Sequence, residues 1–191
     1  MKRRKAIERM AWVGGGAVAA YSGYRWYGVS RSPHLEFLKD QRELIAELAD
    51  TIIPPTDSPG AKEAGVHDYI ILMVEDCTDT KSQNKFITGL QDLIEYTHSQ
   101  YNQSFGQCNH EKRVAILKHF EEKGKNFGGI AGKISDRFLG KSFFTTLKEY
   151  TAEGYCTSEI GATKGLAYLY IPGKYIGCIP LQPGQKAWAT K

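Results

Sequence analysis

Apolar residues recur at every third or fourth position through most of the chain after residue 34, which predicts amphipathic helices. Pro54 and Pro55 end the first of these helices, because the residue before a proline is biased away from helical geometry. Asp40, with Glu43 three residues later, has the spacing of a capping box and is the predicted N-cap. The side chains assigned to the buried face of this first helix are Leu44, Ile45, Leu48, Ala49 and Ile52.

The same periodicity predicts four further helices, over residues 66–77, 81–105, from an Asn109 cap onward, and 129–150. Thr97 is the one polar residue within the apolar stripe of the third helix. The fold class is therefore predicted as mainly α, a compact helical domain of about five helices. The residues assigned to the four buried faces are Tyr69, Ile70, Met73 and Val74; Phe86, Leu90, Leu93, Ile94, Tyr101 and Phe105; Val114, Leu117 and Phe120; and Ile134, Phe138, Phe144, Leu147 and Tyr150.

Glycine and proline residues interrupt the pattern from about residue 152 to the end of the chain, and they predict an irregular, Gly/Pro/Tyr-rich C-terminal arm. Residues 166–171 fit either a short strand or an extended segment. Two interpretations of the arm's aromatic residues stay open: they form a surface for a partner, or they pack back on the helices. These aromatic residues are Tyr168, Tyr170, Tyr175 and Trp188.

The charge of the chain is concentrated at its N-terminus. The formal net charge of the 191 residues is +4. Residues 1–20 contain five basic residues and one acidic residue, so they account for the whole excess, and the remaining chain is balanced. A balanced body argues against a nucleic-acid partner, which requires a basic face.

Residues 1–20 have the order of an export signal. A basic stretch over residues 2–9 precedes an apolar, glycine-rich stretch over residues 10–20 that is too short to cross a bilayer comfortably. The adjacent Arg3 and Arg4 indicate the twin-arginine route, which exports folded proteins. We therefore predict a signal over 1–20, a linker over 21–34 and a single domain over 35–191. A basic tail on a cytosolic protein and an uncleaved anchor are the alternatives.

No strong catalytic constellation is visible in the sequence. The four cysteines show no C-x-x-C pair, the five histidines show no paired metal spacing, and Gly140-Lys141-Ser142 lacks the earlier glycine of a phosphate-binding loop. We therefore predict no catalytic, cofactor or metal residue in this chain. In an oxidising compartment, Cys156 and Cys178 are the predicted bonded cysteines, with each other or with a partner chain, and Cys77 is predicted to be a buried thiol.

Three segments together resemble the gluconate 2-dehydrogenase subunit 3 family. They are residues 48–66 (LADTIIPPTDSPGAKEAGV), 143–161 (FFTTLKEYTAEGYCTSEIG) and 172–178 (PGKYIGC). In this order, behind a twin-arginine-type signal, the resemblance extends over about residues 35–180. The first segment is the most specific of the three.

The resemblance implies a non-catalytic small subunit of a periplasmic FAD-dependent sugar or polyol dehydrogenase. In that family the large subunit, of the glucose–methanol–choline oxidoreductase type, binds FAD and oxidises the substrate, and a cytochrome c subunit often accepts the electrons. The small subunit carries the signal for the twin-arginine (Tat) machinery, and the large subunit travels with it. The expected location is the periplasm, with membrane association through the complex.

The resemblance also suggests which residues contact the large subunit, and it suggests an inter-subunit disulfide through Cys156. Two other functions stay open: a sugar-active enzyme with an unrecognised carboxylate pair, and a stand-alone periplasmic binding module. The candidate contact residues are Pro54, Pro55, Asp57 and Pro59 in the first segment, Tyr155, Thr157, Ser158 and Glu159 in the second, and Pro172, Gly173 and Tyr175 in the third.

Overall fold

The computed structural model describes residues 31–124, 140–171, 173–174, 177–178 and 180–189, together with Gly16 and Gly23. The predicted signal, with Arg3 and Arg4, and most of the predicted linker lie outside the described residues. So do Pro172 and Tyr175, and Ile134 and Phe138 of the fifth predicted helix.

The described residues are mainly helical, which confirms the predicted fold class. The α-helices are α1 (Glu36–Asp40), α2 (Arg42–Ile52), α3 (Val66–Asp76), α4 (Thr80–Tyr101), α5 (His110–Gly124) and α6 (Phe143–Thr157). A 3₁₀ turn (Phe105–Gln107) precedes α5, a π-helical turn (Gly161–Gly165) follows α6, and one isolated parallel bridge joins Ala167 to Trp188.

Side-chain caps fix the start of three helices. The Asp79 carboxylate accepts hydrogen bonds from the backbone N–H groups of Lys81 and Ser82, both at 3.1 Å, at the start of α4. The predicted cap at Asn109 is confirmed, because its Oδ1 accepts from the Lys112 N–H at 3.0 Å. Ser142 caps α6 in the same way. These bonds satisfy N–H groups that have no partner within the helix.

The predicted cap at Asp40 is wrong. Asp40 is the last residue of the short helix α1, and Gln41 precedes α2 with no side-chain cap. The apolar residues Leu35 and Leu38 lie just before the predicted start, and Leu38 is fully buried. Burial of Leu38 extends the helical structure one turn toward the N-terminus, so the polar spacing at Asp40 does not mark the boundary.

Two of the predicted helix limits are also wrong. The third predicted helix ends at Tyr101 rather than Phe105, because Asn102 has a φ of 49°, a left-handed conformation that terminates helices. The fifth predicted helix is not continuous over 129–150. Gly140 has a φ of 83°, and α6 begins only after Ser142. It then extends to Thr157, so the irregular arm starts later than residue 152.

The core lies where α6 packs against α2, α3, α4 and α5. Two glycines permit the close approach: a Cβ on Gly89 of α4 would lie 2.2 Å from Cβ of Phe143, and a Cβ on Gly154 would lie 2.7 Å from Cδ1 of Tyr69. The largest fully buried side chains are Leu38, Ile45, Leu48, Val66, Ile70, Val74, Phe86, Leu90, Leu93, Thr97, Ile116 and Leu147.

Most of the assigned buried faces are correct, with three informative exceptions. Thr97 is buried although it is polar, because its hydroxyl donates to the Leu93 carbonyl at 2.7 Å. Ile94, assigned to the core, is 39% exposed. The prediction of a buried Cys77 is wrong: Cys77 is exposed after the end of α3, and Cys108 is the buried thiol.

The C-terminal arm forms an extended segment with one bridge rather than a strand. Tyr168, Tyr170 and Trp188 are 43%, 83% and 52% exposed, so these aromatic side chains lie at the surface and not in the core. Tyr175 lies outside the described residues. No helix in the described part of the chain has the length and apolar character needed to cross a bilayer.

Candidate functional site

The first candidate segment forms the loop between α2 and α3, and it displays three of its four predicted contact residues. Pro54, Pro55 and Asp57 are exposed, whereas Pro59 is half-buried. The loop closes through a hydrogen bond from the Ala61 N–H to the Ile53 carbonyl at 2.9 Å. The prolines are therefore held in a fixed position at the surface, where they are accessible to a partner.

Gly60 is required by the tight closure of this loop. A Cβ at this position would lie 2.6 Å from the Asp50 carboxylate and 2.8 Å from the Pro55 nitrogen. Asp50 in turn accepts from the Lys62 N–H at 3.3 Å. The loop backbone is thus packed onto the last turns of α2, and a side chain in place of Gly60 would displace it.

Tyr155 connects the second candidate segment to the first. Its side chain is only 7% exposed. The hydroxyl donates to the Pro59 carbonyl at 2.8 Å and lies 3.5 Å from the Ser58 hydroxyl. A residue that is buried and bonded in this way positions the loop rather than contacting a partner directly. Of the predicted contact residues, Tyr155 and Pro59 therefore hold the surface together.

Ser158 ends α6 and shapes the turn that follows. Its hydroxyl donates to the Tyr155 carbonyl at 2.8 Å and accepts from the Gly161 N–H at 2.9 Å. A Cβ on Gly161 would lie 1.8 Å from the Tyr155 carbonyl oxygen, and one on Gly165 would lie 2.6 Å from the Tyr155 hydroxyl. Both glycines are therefore needed for the π-helical turn to wrap around Tyr155.

Thr157 and Glu159 are the exposed members of the second segment. The Thr157 hydroxyl donates to the Glu153 carbonyl at 2.7 Å, so its methyl group and oxygen remain at the surface. The first and second segments are joined through Tyr155, and their accessible groups are prolines, carboxylates and a hydroxyl. Such groups are suited to docking and hydrogen bonding.

An ion-pair network connects the loop to α2 and α5. Glu47 of α2 pairs with Lys62 of the loop and with Arg113 of α5, each at 2.5 Å. Partial burial raises the pKa of Glu47, but the hydrogen bond from Lys62 and the charge of Arg113 outweigh it and leave the pKa below its ordinary value. Hydrogen bonds to Glu43 and Glu47 raise the pKa of Lys62 to about 12. The network stays ionised at neutral pH.

A second ion pair lies beside it. Arg42 donates from two nitrogens to the two Asp68 oxygens, both at 2.7 Å, in a bidentate arrangement. The hydrogen bonds from Arg42 are the main reason that the pKa of Asp68 is lowered. The neighbouring His67 is 8% exposed and its Nδ1 has no hydrogen-bond partner. Burial lowers the pKa of His67, so the ring is neutral near pH 7.

The third candidate segment is described only in part. Gly173 is exposed, and Cys178 is an exposed free thiol. Cys156 on α6 is likewise exposed and free. No bond joins the two cysteines in this structure of the single chain. A disulfide from Cys156 to a partner chain stays a prediction, and non-reducing electrophoresis of the complex with Cys156→Ser would test it: an unchanged band would contradict it.

The described residues contain no group of three or more His, Cys, Asp or Glu side chains placed to hold a metal ion. Sequence reasoning missed four residues that shape the surface: Ser58, Gly60, Gly161 and Gly165. The glycines were interpreted only as breaks in regular structure. These glycines matter because they lie very close to Asp50 or Tyr155 in the folded chain. A single sequence does not reveal such distances.

The family model of gluconate 2-dehydrogenase subunit 3 matches residues 39–173. The match covers well over half of the chain and includes the whole of the first and second candidate segments. It ends at Gly173, so the last part of the arm lies beyond it. No curated protein and no solved structure matches the chain.

Proposed function

This chain belongs to the gluconate 2-dehydrogenase subunit 3 family, and we propose that it is the non-catalytic small subunit that stabilises and escorts a periplasmic FAD-dependent sugar dehydrogenase. The dehydrogenase partner carries FAD and oxidises the sugar, and a cytochrome c subunit is a further candidate partner. The family match over residues 39–173 is the observation that carries this proposal.

The geometry of the first two segments supports a role in binding a protein partner. Tyr155 joins two stretches of chain that are nearly a hundred residues apart. The first exposes Pro54, Pro55 and Asp57, and the second exposes Thr157 and Glu159. Prolines and a loop held in place lose little conformational freedom on binding, which favours affinity. A partner that binds only the folded dehydrogenase would stabilise it by mass action.

The export role rests on Arg3 and Arg4 in the N-terminal sequence. The twin-arginine route carries folded proteins, so a dehydrogenase that has acquired FAD in the cytoplasm can travel bound to this chain. The small subunit would then supply the signal for both proteins. The adjacent Arg3 and Arg4, followed by an apolar stretch over residues 10–20, support this role.

Affinity purification from the native periplasm tests the proposal. The tagged full-length chain is purified gently, and the eluate is analysed by mass spectrometry, flavin absorbance and sugar-dependent dye reduction. An unrelated periplasmic protein with the same tag is the matched control. We expect a large flavoprotein, in about equimolar amount, only with this chain.

Two outcomes would contradict the proposal. A colourless chain purified without a flavoprotein would favour a stand-alone binding module. Sugar turnover by the purified chain alone would favour an enzyme. Dye reduction by the complex, with a panel of sugars and sugar acids, would identify the substrate class.

A further inference from the structure

Exposed apolar side chains are concentrated in the C-terminal arm. In the described part of the chain, eight large apolar side chains are exposed, and only Leu72 on α3 and Ile94 on α4 lie outside the arm. Tyr170, Ile171 and Leu181 are 83%, 74% and 85% exposed. The six arm residues are Tyr168, Leu169, Tyr170, Ile171, Leu181 and Trp188.

The arm is held at its base although its side chains are exposed. Ala167 donates from its N–H to the Ala187 carbonyl at 2.8 Å and accepts from the Ala189 N–H at 2.9 Å. The Lys186 ammonium donates to the Lys164 carbonyl at 2.7 Å. These bonds join the two ends of the arm to each other and to the turn after α6. The apolar residues near the base therefore start from a restricted geometry, which lowers the cost of ordering them on a partner.

The arm is also purely cationic. From residue 160 to the end, the sequence contains four lysines and no Asp or Glu. Lys164, Lys174 and Lys186 are exposed among the apolar side chains. Exposed apolar side chains together with exposed lysines complement an apolar surface that carries carboxylates, and such charges speed association and select the partner.

We propose that the described residues of this arm, 166–171, 173–174, 177–178 and 180–189, form the main surface through which the chain docks on its dehydrogenase subunit, at an apolar surface that also carries carboxylates. The inference rests on the proposed function. Family membership indicates a partner protein, and tyrosine and tryptophan are enriched at the cores of protein interfaces. Leu72 and Ile94, on two different helices, are the other exposed large apolar residues of the described surface.

A competition experiment in the native cell tests the assignment. Each full-length variant is produced together with a wild-type copy that carries a second tag, and the ratio of the two chains is measured in the flavoprotein fraction. We expect Tyr170→Ser/Ile171→Ser to be under-represented about tenfold, as for loss of interface anchors. The matched control, Leu72→Ser/Ile94→Ser, should compete within about twofold of wild type.

Charge reversal provides an independent test. Lys174→Glu should be under-represented, and the effect should shrink at high salt because exposed charges are screened. Lys118→Glu, an exposed lysine on α5, is its control. Circular dichroism of each purified variant checks that the helices remain intact, as expected for changes at exposed positions.

The outcomes separate this inference from the proposed function. A wild-type chain that retains no flavoprotein contradicts the proposed function. A wild-type chain that retains it, with the arm variants competing equally, leaves the proposed function in place and shows that the arm is not the docking surface. Flotation of the wild-type chain with phosphatidylglycerol vesicles, together with equal competition, would assign the arm to an anionic membrane instead.

Discussion

Glu47 connects the first loop to the helices through two ion pairs. Its carboxylate pairs with Lys62 and Arg113, and Arg113 also donates to the carbonyls of Cys108 and Gly106. The Arg113 side chain is mostly buried, with 19% of its surface exposed. Removal of the carboxylate charge leaves this largely buried guanidinium without its counter-ion, which lowers the free energy of unfolding.

We therefore expect Glu47→Gln to lower the free energy of unfolding by about 1–3 kcal/mol. Urea unfolding at neutral pH, followed by circular dichroism, measures the change. Glu63→Gln removes an exposed carboxylate from the same loop and should change stability by less than about 0.5 kcal/mol. Equal effects of the two substitutions would show that the network contributes nothing specific.

His67 makes stability depend on pH in the mildly acidic range. Burial lowers its folded-state pKa below the ordinary value of 6.5, and the nearby Arg42 adds to this effect, although Asp68 opposes it. The unfolded chain therefore binds a proton more readily than the folded one. The stability associated with the neutral ring is present above pH 6.5 and is lost as the pH falls through the folded-state pKa.

We expect the wild-type chain to lose stability as the pH falls below about 6.5, and His67→Gln to lose less over the same range. Glu47 and Asp68 have lowered pKa values and titrate below this window, so they do not mask the effect. Urea unfolding at several pH values measures it. Parallel pH profiles for the two proteins would contradict the assignment.

Helix α6 determines how the elements pack, and it does so through small residues. Gly154 brings α6 against Tyr69 and Val66 of α3, where an added Cβ would lie 2.7 Å and 3.1 Å from their side chains. An alanine there gains helix propensity of about 1 kcal/mol but forces α3 and α6 apart. Overpacking of this kind costs about 1–3 kcal/mol.

We thus expect Gly154→Ala to be destabilising overall, by about 1 kcal/mol, because the middle of the overpacking range exceeds the propensity gain by that amount. A lower melting temperature in calorimetry is the readout. Gly106→Ala is the matched control, because a Cβ there meets nothing within 4 Å. A Gly154→Ala variant as stable as wild type would mean that the two helices can separate without loss.

The sequence predicted the helices better than their limits. Periodicity locates α2, α3, α4 and α5 because each buries one regular stripe. It fails at Asp40, where the buried Leu38 extends the helical structure backward, and at Gly140, whose left-handed backbone separates α6 from the preceding residues. Ser142 is a residue type that commonly caps helices, and its hydroxyl accepts a hydrogen bond from the Thr145 N–H at the start of α6. The prediction of one continuous helix over 129–150 did not use this residue as a helix start.

The candidate surface could be predicted only as separate pieces. The proline-rich loop and the residues after 155 were both recognisable, but their contact was not. A hydrogen bond between Tyr155 and Pro59 depends on how α6 crosses α2 and α3, and that crossing depends on Gly154. Long-range contacts of this kind follow from packing, which a single sequence does not specify.

At the scale of the whole molecule, the predicted export signal and the proposed docking surface lie toward opposite ends of the sequence. The excess positive charge lies in residues 1–20, and the cationic apolar arm begins at residue 166. If one chain serves as both signal and subunit, then export of the dehydrogenase depends on residues of a different polypeptide. This dependence is the property that distinguishes an escort from a subunit that assembles after export.

We expect Arg3→Lys/Arg4→Lys to keep both this chain and its flavoprotein in the cytoplasm, with the complex still assembled there. Lys2→Gln/Lys5→Gln is the matched control, since it removes two charges from the same stretch but leaves the arginine pair. Immunoblots of the periplasmic and cytoplasmic fractions, with flavin absorbance of the purified complex, measure the distribution. Normal periplasmic flavoprotein alongside a retained small subunit would show that the dehydrogenase has its own route, and that this chain acts only as a stabiliser.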